Sequence, residues 1–133
     1  MATVNRFEDL EIWRLARKLY GKISLLAELL RQNKEFRFAE QIKSPAGSVM
    51  DNFAEGFERS SRLEFLHSQS ISKGECGEVK SQLYRCLDDK YITEAEFSEL
   101  HGETDLLGKK IASFIMYLNS CEHKGLKFKD RQK

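Results

Sequence analysis

Three polar residues, Asn52, Glu55 and Arg59, stand three and four positions apart around Gly56, in the run SVMDNFAEGFER. On a helix this spacing places them along one stripe. General acid–base catalysis needs paired carboxylates or a histidine positioned by its neighbours, and these three residues supply neither. A Glu–Arg pair beside an asparagine is more typical of a polar network that fixes helix packing or subunit register. The run therefore predicts a structural or assembly motif and no catalytic residue.

Glu55 and Arg59 form an i,i+4 pair in the favourable orientation. If this pair is buried, removing one partner leaves an uncompensated charge, at a cost of about 3–5 kcal/mol. Gly56 removes a side chain at a position where a neighbouring helix can approach closely. We therefore expect Glu55→Ala to lower stability or to disrupt assembly.

Signatures of metal, nucleotide and nucleophile chemistry are missing from the sequence. It has no Gly-rich phosphate loop, no nucleophile elbow and no HExxH helix. The histidines lack partners at metal-ligand spacing, and the cysteines lie on apolar seams where cysteine is an ordinary core residue. These residues are His67, His101, His123, Cys76, Cys86 and Cys121. We expect no metal, no cofactor and no enzymatic activity.

The odd number of cysteines, without CxxC spacing, favours reduced thiols and a cytoplasmic location. The start of the chain, MATVNRFEDL, has no apolar signal core, and no apolar run approaches the length of about 18 residues that spans a membrane. A chain of 133 residues is long enough for one domain with its own core, and the single proline favours helices.

Basic residues on three segments raise the hypothesis of nucleic-acid binding. The candidates are Arg14, Arg17, Lys18 and Lys22 on the first predicted helix, Lys109 and Lys110 on the last, and Lys124, Lys127 and Lys129 in the tail. Five bases and two acids give residues 122–133 a charge of +3, so the remaining residues carry −2. Repeated around a ring of subunits, such a surface becomes a multivalent site for phosphates. Against this hypothesis, the sequence shows no aromatic platform for stacking bases.

Apolar residues recur at alternating steps of three and four along most of the chain, which predicts four helices and no strand. Short connections at residues 31–37, 59–61 and 90–93 make successive helices antiparallel neighbours. The third helix follows a capping box at Ser61, and the fourth runs from about Glu94, after a capping box at Thr93, to about Cys121. The expected fold is all-α, an antiparallel up-down-up-down four-helix bundle at 1–121, with a basic tail at 122–133.

Three local features depart from a simple amphipathic pattern. Pro45 predicts a kink or a late start of the second helix, because proline removes a backbone donor. The third helix is rich in serine and glycine at 68–77, which predicts a tight helix crossing there. The first helix carries a second apolar face with Trp13 and Tyr20, and a lone bundle would cover only one face. That second face favours self-association.

The chain closely resembles the 23S rRNA intervening-sequence protein family, also called four-helix bundle proteins. The resemblance rests on FEDLEIWRLA at 7–16, SVMDNFAEGFER at 48–59, and a glycine and glutamate on the third helix. The matching residues are Phe7, Asp9, Leu10, Trp13, Ser48, Asn52, Ala54, Glu55, Gly56, Arg59, Gly74 and Glu78. Two positions differ, since Met50 replaces the family proline and Glu75 replaces a serine.

The resemblance implies a small antiparallel bundle that assembles as a homopentamer with a central channel, and no enzymatic activity. It also implies a link to RNA, because some members are encoded in rRNA insertions and a related branch, the accessory proteins of diversity-generating retroelements, binds nucleic acid through a strongly basic surface. The expected protein is therefore a self-assembling scaffold that binds RNA or an RNA–protein complex. The alternative is a protein–protein adaptor without nucleic-acid affinity, whose partner docks on an exposed aromatic residue such as Phe36 or Tyr20.

Overall fold

The computed structural model describes residues 5–59 and 61–121, which form four long helices after a short 3-10 turn at Phe7–Asp9. The helices are α1 (Glu11–Gln32), α2 (Phe36–Glu58), α3 (Arg62–Asp88) and α4 (Glu94–Ser120). Each helix packs against the next, and α1 also contacts α4, which closes the ring. The expected all-α, up-down-up-down four-helix bundle is confirmed. The predicted tail at 122–133 lies outside the described residues.

Capping and turn residues set the ends of the helices. The Thr93 backbone N–H donates to Glu96 Oε1 at 2.8 Å, and the Glu96 N–H donates to Thr93 Oγ1 at 3.1 Å, which confirms the capping box of α4. Ser61 Oγ accepts from the Glu64 N–H at the start of α3. Lys34 and Lys90 adopt left-handed φ angles of 63° and 65° just after α1 and α3. Both residues lie within the predicted connections at 31–37 and 90–93, although glycine is the residue that usually takes this conformation.

The core centres on four phenylalanines contributed by α2, α3 and α4. Phe65 packs its ring against Phe53 at 5.4 Å, Phe114 at 5.2 Å and Phe57 at 6.1 Å between centroids. Edge-on geometry predominates in these contacts, with interplanar angles of 69° to 87°. Phe65 itself is fully buried. It is the aromatic residue through which α3 joins the two neighbouring helices.

The predicted late start of the second helix is wrong, because α2 begins at Phe36 and continues through Pro45. Proline has no N–H, so the carbonyl of Gln41 four residues earlier loses its helical donor. Gln82 of α3 replaces that donor, since its Nε2 donates to the Gln41 carbonyl at 3.0 Å. A side chain 41 residues away in sequence therefore allows the proline to remain inside the helix.

The tight crossing between α2 and α3 lies at Gly56 and not at the glycines of α3. A Cβ on Gly56 would overlap Ser68 Oγ and would lie 2.9 Å from a ring carbon of Phe65. By contrast, no atom lies within 4 Å of the position that a Cβ on Gly74 or Gly77 would take. The prediction of a close approach at the small residues of α3 therefore holds at Ser68 and is wrong at Gly74 and Gly77.

Two of the three cysteines behave as core residues. Cys76 and Cys86 are buried, and burial raises the pKa of each thiol to about 11, while Cys121 at the end of α4 is half-buried. Within residues 5–59 and 61–121, no group of three or more histidine, cysteine, aspartate or glutamate side chains is arranged to hold a metal ion. None of the described helices is both long and apolar enough to cross a membrane.

Candidate functional site

The polar motif of α2 opens onto a groove of about 440 Å³ between α2 and α3. We call this groove and its rim the motif surface. It is lined by Asn52, Glu55, Gly56, Arg59, Leu63, Glu64, His67, Ser68 and Ile71. The structure therefore brings together four of the five predicted motif residues. Trp13, the fifth, lies on α1 and does not line the groove.

Arg59 joins two acidic residues on the motif surface. Its guanidinium contacts Glu55 at 3.3 Å on the same helix and Glu64 at 3.0 Å on α3. Arg59 donates hydrogen bonds to both carboxylates, and these bonds raise the pKa of Arg59, the bond to Glu55 more than the bond to Glu64. The side chains of Arg59 and Glu55 are 54% and 61% exposed, so the pair is not buried.

The exposure of this pair changes the expected result of Glu55→Ala. Solvent screens an exposed ion pair, and Arg59 keeps Glu64 as a partner. The condition of burial, on which the cost of about 3–5 kcal/mol depended, is therefore not met within the single chain. The expectation of an effect on assembly remains a prediction.

Apolar side chains stand beside this polar network on the outer face of α3. Leu63 is 65% exposed, and Ile71 is exposed two turns further along the same helix. The same stripe continues to Gly74, above which there is open space. Exposed leucine and isoleucine beside a satisfied charged network are a composition typical of a surface that another protein covers.

The basic residues of α1 are paired more closely than the sequence suggested. Lys22 donates to Glu99 at 2.7 Å and to Glu103, both on α4, and its side chain is only 30% exposed. Hydrogen bonds to Glu103 and Glu99 raise the pKa of Lys22. Lys22 therefore does not lie on an open basic face, because it joins α1 to α4. Arg14 contacts Asp9 at 3.6 Å.

The basic residues of α4 also have acidic neighbours. Lys110 contacts Glu11 of α1 at 3.2 Å, and Lys109 contacts Asp105 at 3.0 Å. Of the six described candidates for phosphate binding, only Arg17 and Lys18 have no ion pair within the described part of the chain. The other three candidates, Lys124, Lys127 and Lys129, lie outside the described residues.

The second apolar face of α1 is covered within the chain itself. Trp13 packs edge-on against Phe7 of the 3-10 turn, with ring centroids 5.2 Å apart. Tyr20 lies against α2, where a Cβ on Gly47 would be 3.3 Å from its ring. Trp13 and Tyr20 are both half-buried. The expectation that a lone bundle leaves this face uncovered is therefore wrong in part, while self-association through it stays a prediction. Phe36 is the more exposed of the two aromatic candidates for partner docking.

The comparisons with known proteins agree with the four-helix fold. The family model of the 23S rRNA-intervening sequence protein matches residues 8–113, which include the whole motif surface. The chain belongs to this family. A solved structure from Bacteroides thetaiotaomicron, described as a protein with unknown function from the S23 ribosomal protein family, has a TM-score of 0.75 to this chain. The two are 23% identical, and the match covers 78% of this chain and 97% of the other. No curated protein matches the chain.

This member of the 23S rRNA-intervening sequence protein family also has an aromatic cluster that sequence reasoning missed. Tyr84 of α3 meets Phe97 and His101 of α4, with centroids 4.8 Å and 5.6 Å apart. One turn from Tyr84, Lys80 contacts Asp105 at 3.1 Å across the same helix pair. In the sequence, Tyr84, Phe97 and His101 are isolated residues on two helices. Their contact depends on how α3 packs against α4, which the sequence pattern does not show.

Proposed function

We propose that this protein is a non-enzymatic scaffold that assembles with copies of itself through the motif surface. The observation that carries the proposal is the exposed position of Leu63 and Ile71 beside the Arg59 network. The fold of a single chain does not need either apolar side chain at these positions. Membership of the 23S rRNA-intervening sequence protein family supports the proposal, because the resemblance implies a homopentamer.

The chemistry of the motif surface suits a contact between copies. Arg59 lies between two carboxylates and is accessible to solvent. A carboxylate of a neighbouring subunit can therefore pair with Arg59, and a basic group can pair with Glu55 or Glu64. The neighbouring leucine and isoleucine supply apolar area that is released from water on contact. In a cyclic pentamer every contact joins two different faces, so the motif surface supplies one of these two faces.

Leu63→Glu is expected to dissociate the assembly, because it places a carboxylate at the apolar part of the contact next to Glu64. The measurement is the molar mass in solution, by light scattering after size exclusion. The unchanged chain is expected at a multiple of its 15.5 kDa subunit mass, and Leu63→Glu at the subunit mass itself. Helical circular dichroism is expected to stay the same, since Leu63 is exposed.

Met116→Glu is the matched control, because Met116 is 72% exposed on α4 and does not line the motif surface. It is expected to keep the mass of the unchanged protein. A monomeric mass for the unchanged protein at every concentration would refute self-assembly. An assembly that survives Leu63→Glu would show that another surface makes the contact.

RNA binding is a second candidate function, and the Tyr84 cluster favours it. Bases of single-stranded RNA stack on aromatic rings while lysines bind the phosphates. Lys73, Lys80 and Lys109 line a groove between α3 and α4, and Tyr84 lies one turn beyond Lys80 on α3. Asp105 neutralises part of this charge by contacting both Lys80 and Lys109. We therefore place this function second to assembly.

Tyr84→Ala is expected to weaken binding of a labelled single-stranded RNA by about tenfold, since one base stack contributes about 1–3 kcal/mol. Tyr117→Ala is the control, because both tyrosines are 50% exposed. Binding is measured at about 50 and 200 mM salt, since phosphate contacts weaken steeply with salt. No binding at the lower salt would leave an assembling protein without nucleic-acid affinity.

A further inference from the structure

A second exposed apolar groove, of about 380 Å³, runs between the C-terminal half of α1 and the start of α4. We call it the α1–α4 groove. Its apolar lining consists of Leu25, Leu26, Leu29, Ile92 and Leu100, and its rim carries Lys22, Glu96 and Glu99. Leu25 is 74% exposed, which is the highest value for a large apolar side chain within the described residues. The helix pair that forms this groove is also the least extensively packed of the four neighbouring pairs.

The rim of the α1–α4 groove is acidic. Glu96 and Glu99 line it, and Glu103 lies one turn further along α4. These three carboxylates face two lysines, Lys22 in the rim and Lys18 near Glu99, so the negative charges are in excess. The hydrogen bond from Lys22 lowers the pKa of Glu99, so this carboxylate stays ionised at neutral pH. Its side chain remains 62% exposed despite the ion pair. The groove therefore suits a segment that combines apolar side chains with positive charge.

We propose that the α1–α4 groove of one copy receives the segment KGLKFK, at 124–129, of a second copy. This segment combines two apolar residues, Leu126 and Phe128, with three lysines. In an extended segment, alternate side chains are about 6.6 Å apart on one side, close to the rise of about 6 Å between Leu25 and Leu29 on their helix. Long lysine side chains then reach the rim carboxylates while their stems cover apolar surface.

The length of the chain assigns the segment to another copy. Leu100 lies 21 residues before Cys121, so the groove is about 32 Å along α4 from the end of that helix. Phe128 is seven residues beyond Cys121, and a fully extended chain of that length spans at most about 25 Å. Leu126 and Phe128 of one subunit therefore cannot reach the α1–α4 groove of the same subunit.

This inference rests on the proposed self-assembly, because it needs a neighbouring subunit. It adds a contact that is separate from the motif surface and is held partly by charge. It also assigns the tail lysines, which the sequence offered as phosphate ligands, to carboxylates of the neighbour. High salt is expected to weaken this contact more than an apolar one, because salt screens exposed charges.

Photocrosslinking on the full chain tests the proposal. Phe128→p-benzoylphenylalanine is prepared in normal and in ¹⁵N-labelled form, and the two are mixed, dissociated, reassembled and irradiated. Mass spectrometry is expected to place the crosslinks in peptides containing Leu25 or Leu100, with one light and one heavy partner. Leu25→Lys in the same background is expected to lower the crosslink yield at least fivefold. Met116→Lys, at a residue of similar exposure, is expected to leave the yield unchanged.

Solution mass separates failure of this inference from failure of self-assembly. An assembled protein whose crosslinks lie outside the α1–α4 groove, or join light peptides only to light ones, would overturn the tail contact and leave the scaffold intact. A monomeric protein without mixed crosslinks would overturn both proposals. An equal crosslink yield in Leu25→Lys and in Met116→Lys would also overturn the assignment of the groove.

Discussion

Gly56→Ala is expected to lower the free energy of unfolding by about 2 kcal/mol. The added methyl group would overlap Ser68 Oγ and would lie 2.9 Å from the ring of buried Phe65 and 3.0 Å from Ser68 Cβ. Ser68 also donates a hydrogen bond to the Phe65 carbonyl at 3.0 Å, which opposes its displacement. Overpacking of this kind costs about 1–3 kcal/mol, and the contacts at Gly56 are at the severe end.

The matched control is Gly102→Ala on α4, where no atom lies within 4 Å of the new Cβ. There, alanine is expected to raise the free energy of unfolding by up to about 1 kcal/mol, because it has the higher helix propensity. Both variants are measured by urea unfolding at one protein concentration, since assembly makes stability depend on concentration. Equal effects of the same sign would show that Gly56 has no special role in the crossing of α2 with α3.

Phe65→Ala is expected to cost about 3–5 kcal/mol, the range for removing a large buried aromatic side chain. Phe65 is fully buried and contacts Phe53, Phe57 and Phe114, so its loss leaves a cavity bordered by three rings. A domain of this size has a total stability of about 5–15 kcal/mol, so the variant is expected to melt far below the unchanged protein. Thermal unfolding followed by circular dichroism measures the change.

Phe36→Ala is the control for the loss of a phenyl ring, because Phe36 is 61% exposed. It is expected to change stability by less than about 0.5 kcal/mol. Phe65→Leu retains much of the buried volume, so its melting temperature is expected to lie between those of Phe65→Ala and Phe36→Ala. If Phe65→Ala melted within a few degrees of Phe36→Ala, the aromatic cluster would not be the core of the bundle.

The motif of α2 therefore divides into two parts with different roles. Gly56 acts inside the chain, where it allows α3 to approach α2. Glu55 and Arg59 face outward beside Leu63, on the surface that we propose for assembly. A variant of the glycine is expected to change stability, whereas a variant of the exposed residues is expected to change solution mass. These two measurements separate the roles.

Local patterns in the sequence determined the helices. The spacing of apolar residues fixed their number and order, because helix formation depends on side chains three and four positions apart. The capping box of Thr93 and Glu96 fixed the start of α4, because its two hydrogen bonds join residues only three positions apart. The family motif at 48–59 was equally visible, and it pointed to the residues that now line the motif surface.

Only the tertiary structure decided which charged residues form ion pairs and which glycines are closely packed. Lys22 forms a hydrogen bond with Glu99, 77 positions away in sequence. Gln82 donates to the carbonyl of Gln41, 41 positions away, which has no helical donor because of Pro45. Gly56 is tightly packed and Gly74 is open, although both are glycines within helices. Such differences depend on how α2, α3 and α4 are placed around each other. The period of a single helix carries no information about that placement, and packing of the whole core sets it.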